Sequence, residues 1–261
     1  MPFKQYVLGR GKVHFARFLP NTLIADGFRY IGNTPEFSLN IESEELDHYD
    51  SDEGIREKDD SVPLEVNRTG SLVTDNIDPE NVALFFFGST LQVAQIIVAP
   101  QTIVLTDIHV GHSYKLGATA LNPTGFFGIN ATGFTAVRNP GAVPLVLGTD
   151  YTVDLNNGII SFMEGSLVAV ELADISVTFA VRASTRTRVL SGSVAVEGSM
   201  MYITKNPKGE NSMFYLPYVK VTPNGDYALK GDDWQQIPMS LEVLKPFGLE
   251  AIYRDGVPFY A

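Results

Sequence analysis

Cysteine is absent from this chain of 261 residues. Its absence excludes a disulfide framework, thiolate chemistry and any cysteine-based zinc site, and leaves packing or assembly as the source of stability. Tryptophan occurs once, at Trp234, which argues against a sugar-binding platform, because such sites stack rings on several exposed aromatics. Long hydrophobic runs are lacking as well. The most apolar stretch, Val82 to Phe87, falls far short of a bilayer span. The opening Met-Pro-Phe-Lys-Gln-Tyr shows no charged region leading into an apolar core, so no secretory signal is expected and synthesis in a cytoplasm is. Positive charge is scarce: 19 Lys and Arg stand against 30 Asp and Glu, a net charge of −11. That balance argues against gripping nucleic acid by its phosphates. It does not exclude a surface past which DNA slides, since an acidic wall repels the duplex.

Catalytic signatures are equally scarce. There is no Gly-x-Ser-x-Gly elbow, no phosphate-binding Gly-x-x-x-x-Gly-Lys and no His-Glu-x-x-His. The histidines number four, His14, His48, His109 and His112. Only Asp107, His109 and His112 resemble a metal cluster, and surface or turn histidines are the better reading of such loose spacing. Asp50, Asp52, Asp59 and Asp60 offer oxygen ligands for calcium, yet Gly54 and Ser61 break the EF-hand spacing. The expectation is no catalytic residue, no metal and no cofactor.

What is present is strand pattern. Residues 1–26 show no sustained period and read as an extended arm. Phe37, Leu39 and Ile41 then alternate with polar residues, and Val62, Leu64 and Val66 repeat the alternation, so two half-buried strands are expected to flank a long acidic connection. That connection carries Glu42, Glu44, Glu45, Asp47, Asp50, Asp52, Glu53, Glu57, Asp59 and Asp60 against Arg56 and Lys58. A connection so long is uncommon without a job, and Leu46, Tyr49 and Ile55 within it are unexplained by a solvated loop alone. The reading favoured is a segment mobile in the free subunit that orders against a neighbour.

One short helix is expected after Asp78: Asp at the N-cap, Pro79 at the first position, Glu80 against the dipole and Gly88 as the stop. Val82, Phe85 and Phe86 form its apolar face. After Pro100 nearly every signal is a strand: a hairpin from Asp150 to Phe162 about Asn156-Asn157-Gly158, strict alternation over Ile175–Val181, then strands at 189–196, 201–204, 214–221 and 235–244. Residues 122–144 read as long loops. The fold class expected is mainly β, two packed antiparallel sheets of sandwich or barrel type with one flanking short helix.

The run Tyr30-Ile31-Gly32-Asn33-Thr34-Pro35-Glu36-Phe37, then Glu44-Glu45-Leu46-Asp47-His48-Tyr49, Glu53-Gly54 and Lys58-Asp59, then Asp78 to Gly88, resembles the major tail tube proteins of long-tailed, siphovirus-type bacteriophages. The resemblance is best over residues 28–90 and fainter over 190–245, around Gly209 and Pro223-Asn224-Gly225-Asp226. It implies two tail tube segments, 1–99 and 184–261, around an inserted β-rich domain at 100–183 that faces outward. It implies a virion protein, assembled in the host bacterial cytoplasm, whose copies form stacked, hexameric rings. Implied partners are the chain itself, tape measure, tail terminator and distal tail proteins, and double-stranded DNA as a transient, non-specific passenger, with no membrane. The acidic stretch, from Glu42 through Leu46, Tyr49 and Ile55 to Asp60, would be the loop that touches the adjacent ring. A carbohydrate- or cell-surface-binding β-module is the alternative, with the inserted domain as its candidate.

Overall fold

The computed structural model describes residues 6–50, 52, 54–166 and 168–256. It is mainly β, with several antiparallel sheets and one short helix. The strands run β1 (Gly11–Arg17), β2 (Arg29–Tyr30), β3 (Glu36–Asp50) and β4 (Glu57–Thr74), then helix α1 (Pro79–Phe85). Next come β5 (Ser89–Gln95), β6 (Val98–Ile108), β7 (Ser113–Lys115), β8 (Thr135–Asn139), β9 (Val143–Pro144), β10 (Tyr151–Asp154), β11 (Ile159–Phe162) and β12 (Ala173–Val181). The chain closes with β13 (Ser184–Leu190), β14 (Val196–Thr204), β15 (Ser212–Pro223), β16 (Ile237–Val243) and β17 (Tyr253–Gly256). Among the described residues no helix is long and apolar enough to cross a membrane.

The chain divides into two compact units, with residues up to 91 and from 188 in the first and Gln92–Thr187 in the second. The division thus falls several residues outside the expected insertion limits of 100 and 183. The two passages between the units, β5 and β13, pair with each other.

The first unit is built on one sheet in the order β2-β1-β14-β15-β16-β4-β3, with β17 also on β15. Val13, Phe15, Leu72, Met200, Leu216, Ile237, Met239 and Leu241 form its core. β1 corrects the expected featureless arm: it pairs with β14 from Gly11↔Thr204 to Arg17↔Gly198, and Val13, Phe15 and Ala16 are buried. Two large apolar side chains flanking His14 left too short a period to read. Residues 191–195, expected to continue a strand, separate β13 from β14.

Helix α1 starts as the sequence requires. The Asp78 carboxylate accepts from the Asn81 backbone N–H at 2.9 Å, with Pro79 at the first turn. Its most buried side chains are Asn81, Ala83 and Leu84. Val82 and Phe85 pack on the core as expected, whereas Phe86 is exposed, because it caps the helix instead of continuing its face. Gly88 serves a purpose other than a left-handed stop. Phe87 takes the positive φ of 53°, and Gly88 lets the returning chain pass: a Cβ there would lie 1.7 Å from the Leu190 carbonyl oxygen.

The second unit has a sheet β6-β12-β8-β9 and a sheet β10-β11-β7. Ile175, Val177, Phe179 and Val181 of β12 are buried in strict alternation. The β10–β11 hairpin is the one the sequence announced, pairing Tyr151↔Phe162 through Asp154↔Ile159, with Gly158 at φ 62°. Part of the expected loop region 122–144 is strand, β8 and β9.

Candidate assembly surface

The acidic segment is a ribbon and not a loop. β3 and β4 stay paired from Glu36↔Val73 out to Asp50↔Glu57. Its expected strandless middle is therefore corrected: Glu42, Glu44, Glu45, Leu46, Asp47, Tyr49 and Asp50 lie on β3, and Glu57, Asp59 and Asp60 on β4. Asp52 and Ile55 lie in the turn, and Glu53 falls outside the described residues. Two register shifts, between Glu44 and Glu45 and between His48 and Tyr49, place Leu64 and Asp59 as the extra residues of β-bulges. Pro63 sits beside the first, where a missing N–H is tolerated.

β16 pairs with β4 only as far as Glu242↔Thr69, so beyond that row the ribbon has no third strand. From Ile41 to Asp50 it runs roughly 33 Å at the rise of a strand. Local contacts stiffen its end. Lys58 Nζ meets Asp47 at 2.6 Å, the Tyr49 hydroxyl donates to Asp47 at 3.3 Å, and Arg56 lies 4.2 Å over the Tyr49 ring. The hydrogen bond from Lys58 holds the Asp47 carboxyl below the usual carboxylate range, and the same bond raises Lys58. In the turn, Asp52 N–H donates to Asp50 at 2.9 Å and Gly54 takes φ 77°.

Strand alternation gives the ribbon two unlike faces. Phe37 and Leu39 pack on the core, so Ile41, Ser43, Glu45, Asp47 and Tyr49 continue the core side. The opposite side carries Glu36, Glu42, Glu44, His48 and Asp50 of β3, with Glu65, Asp60 and Glu57 of β4 opposite the last three, and no Lys or Arg. Glu44 stands directly opposite Glu65, and Asp50 opposite Glu57. Like charges so placed destabilise an isolated ribbon. The same side continues over the sheet as a polar surface of Ser38, Ser71, Ser240, Thr222, Lys220 and Glu197, the last two 3.8 Å apart.

Apolar side chains on the ribbon are left in water: Ile55 is 74% exposed, Leu64 65%, Leu46 61% and Val62 54%. Val62 and Leu64 were expected to belong to a half-buried strand; they are in a strand, but none of the described residues covers it. Sequence pattern recovers strand but not which strands lack a neighbour.

The sheet also ends in two edges of opposite sign. β3, one edge, bears six carboxylates, Glu36, Glu42, Glu44, Glu45, Asp47 and Asp50, and no Lys or Arg. The other edge, β1 with the two-residue β2, bears Lys12, Arg17 and Arg29 and no carboxylate. These cations escaped the sequence reading, since strand order across the sheet is what sets them against β3.

The oxygen-rich segment is used locally. His48 Nδ1 meets Asp59 at 2.6 Å, and Asp60 accepts from Ser61 N–H at 2.8 Å. In the second unit, His109 bonds Glu171, and the His112 ring lies 5.2 Å from that of His109. Glu171 is held below the usual carboxylate range, first by the His109 hydrogen bond. Among the described residues no three His, Asp or Glu converge so as to hold a metal ion.

A family profile described as protein of unknown function UCP028589 matches residues 6–246. The chain belongs to this family. No curated protein matches it. The matched span contains β1, the whole β3–β4 ribbon, the second unit and the strands through β16, so both oppositely charged edges lie within it.

Proposed function

We propose that this family member is a tail tube subunit of a long-tailed bacteriophage: a structural, non-enzymatic protein whose copies close side by side into rings and stack into a cylinder for DNA. The observation that carries the reading is the pair of sheet edges, one acidic and 15 residues long, the other basic. A long edge without a partner is a liability unless another strand covers it. An edge of one sign on β3 and of the other on β1 and β2 favours a neighbour's opposite edge over its like one, which gives a head-to-tail contact that closes into a ring. The carboxylate side of the ribbon and the polar side of the sheet would then line the channel, and an acidic lining gives the duplex no point of adhesion.

Negative-stain microscopy of concentrated protein at low salt tests the reading. Rings or tubes are expected, with assembly weakened as salt screens the edges. A protein that stays monomeric at high concentration, with and without partners from the same particle, overturns it.

A further inference from the structure

The strand register fixes two ends of the sheet in the first unit. At one end lie the start of β1, the end of β14 and the start of β15; at the other lie the end of β1, the start of β14 and the end of β15. The first end carries a ledge. Leu8 bridges to Lys208, Lys205 N–H donates to the Arg10 carbonyl at 2.7 Å, and Tyr6, Val7 and Leu8 are all exposed. Over residues 6–12 and 204–212 this ledge has four cations, Arg10, Lys12, Lys205 and Lys208, against Glu210.

The far end is its complement. A groove of about 740 Å³ runs between the turn after β1 and the residues leading into β14. Its apolar lining includes Leu19, Leu23, Phe87 and Val194, of which Leu23 and Val194 are largely exposed. Arg17 in its wall also lines a neighbouring cleft, together with Glu80. Across residues 17–29, 75–80, 194–197 and 223–237, eight carboxylates stand against three cations.

Resting on the tube reading, we propose that this groove receives the Tyr6–Leu8 ledge of a second copy stacked head to tail. Each end then covers apolar side chains exposed on the other, and the basic ledge meets an end of the sheet with more carboxylates than cations. Ledge placed on ledge would oppose charges of one sign, which disfavours that pairing. The contact is separate from the ribbon and from the lateral edges, and it assigns the ring-to-ring surface on the β1–β14 side of the sheet.

The absence of cysteine makes the test direct. Leu8→Cys and Leu23→Cys are prepared as separate variants, mixed under assembling conditions and treated with a short bifunctional maleimide. A cross-linked dimer is expected from the mixture and from neither variant alone. Lys205→Glu with Lys208→Glu should raise the concentration needed for tube growth at least tenfold at low salt, the shift shrinking as salt is added. Tubes that form without an 8-to-23 cross-link, or that ignore both reversals, overturn this contact and leave the tube reading standing. Failure of the unaltered chain to assemble at all overturns the tube reading, and this contact with it.

Discussion

Shortening the ribbon separates folding from the assembly proposed above. Ser43 and Val66 face each other across β3 and β4, so replacing residues 44–65 with Asn-Gly closes the two strands by a favoured hairpin turn. The excised part holds Leu46, Ile55, Val62 and Leu64, each more than half exposed. It also holds the opposed pair Glu44 and Glu65. Folding stability should therefore change by less than about 1 kcal/mol, measured by urea unfolding followed by circular dichroism. Assembly should change far more. Burying such a side chain fully is worth about 1.5–3 kcal/mol. Scaled to the exposed fraction, the four together supply about 3.8–7.6 kcal/mol to a contact that covers them. At 1.4 kcal/mol per decade, the concentration required for tubes should rise about 10³- to 10⁵-fold, read by light scattering and negative stain. A shortened chain that assembles within tenfold of the full-length concentration would refute the role given to the ribbon.

Other expectations follow from single sites. Asn81 is fully buried; its Nδ2 donates to the carbonyls of Ile31 at 2.6 Å and Asn76 at 2.8 Å, and its Oδ1 accepts from Arg29 at 2.8 Å. Asn81→Ala strands the Asn76 carbonyl and leaves that of Ile31 with Asn76 Nδ2 alone, at 3.2 Å, and should cost the first unit about 1–3 kcal/mol in urea unfolding; a cost under about 1 kcal/mol would contradict the network. Asp78→Ala removes the helix cap and should cost about 1–2 kcal/mol by the same assay. Asp154 accepts from Asn157 N–H at 3.0 Å, Asn157 Nδ2 at 2.7 Å and Asn156 N–H at 3.0 Å, bonds that hold its carboxyl below the usual range, the Asn157 backbone bond foremost. A carboxyl lowered on folding stabilises above its unfolded pKa and loses that contribution as pH falls through the folded one. The stability gap between the unaltered chain and Asp154→Ala should accordingly narrow on acidification, as urea unfolding at neutral and acid pH would register; a gap that widens would show that the carboxylate's bonds are not its source.

How much of this was legible in the sequence depends on whether a residue's environment is local. The helix cap at Asp78, the hairpin at Asn156-Asn157-Gly158 and the alternation through β12 are set by near neighbours and appear in the structure as read. The ribbon was misread because it obeys no burial rule past Leu39. With water on both sides, no apolar alternation is needed, and Glu and Asp rank low among strand formers. Continuous cross-strand pairing with β4 fixes its conformation, and pairing is invisible in one strand's sequence. The two unlike faces were hidden further by the bulges at Leu64 and Asp59, each of which shifts the register by one. Phe86 shows the opposite error: helical spacing placed it on the core face, but the helix ends one residue before it.

Gly88 and Gly192 mark where the chain leaves the first unit's helix and where it returns, and neither has room for a side chain: a Cβ at Gly192 would lie 2.1 Å from the Phe87 carbonyl oxygen. A few residues on, Gln92 Nε2 donates to Thr187 Oγ1 at 2.9 Å. Departure and return thus share one narrow doorway. A segment entered and left through a single doorway can be deleted, lengthened or exchanged for a foreign one without rerouting any strand of its host. Members of the family can therefore carry different segments at this position while keeping the same underlying framework.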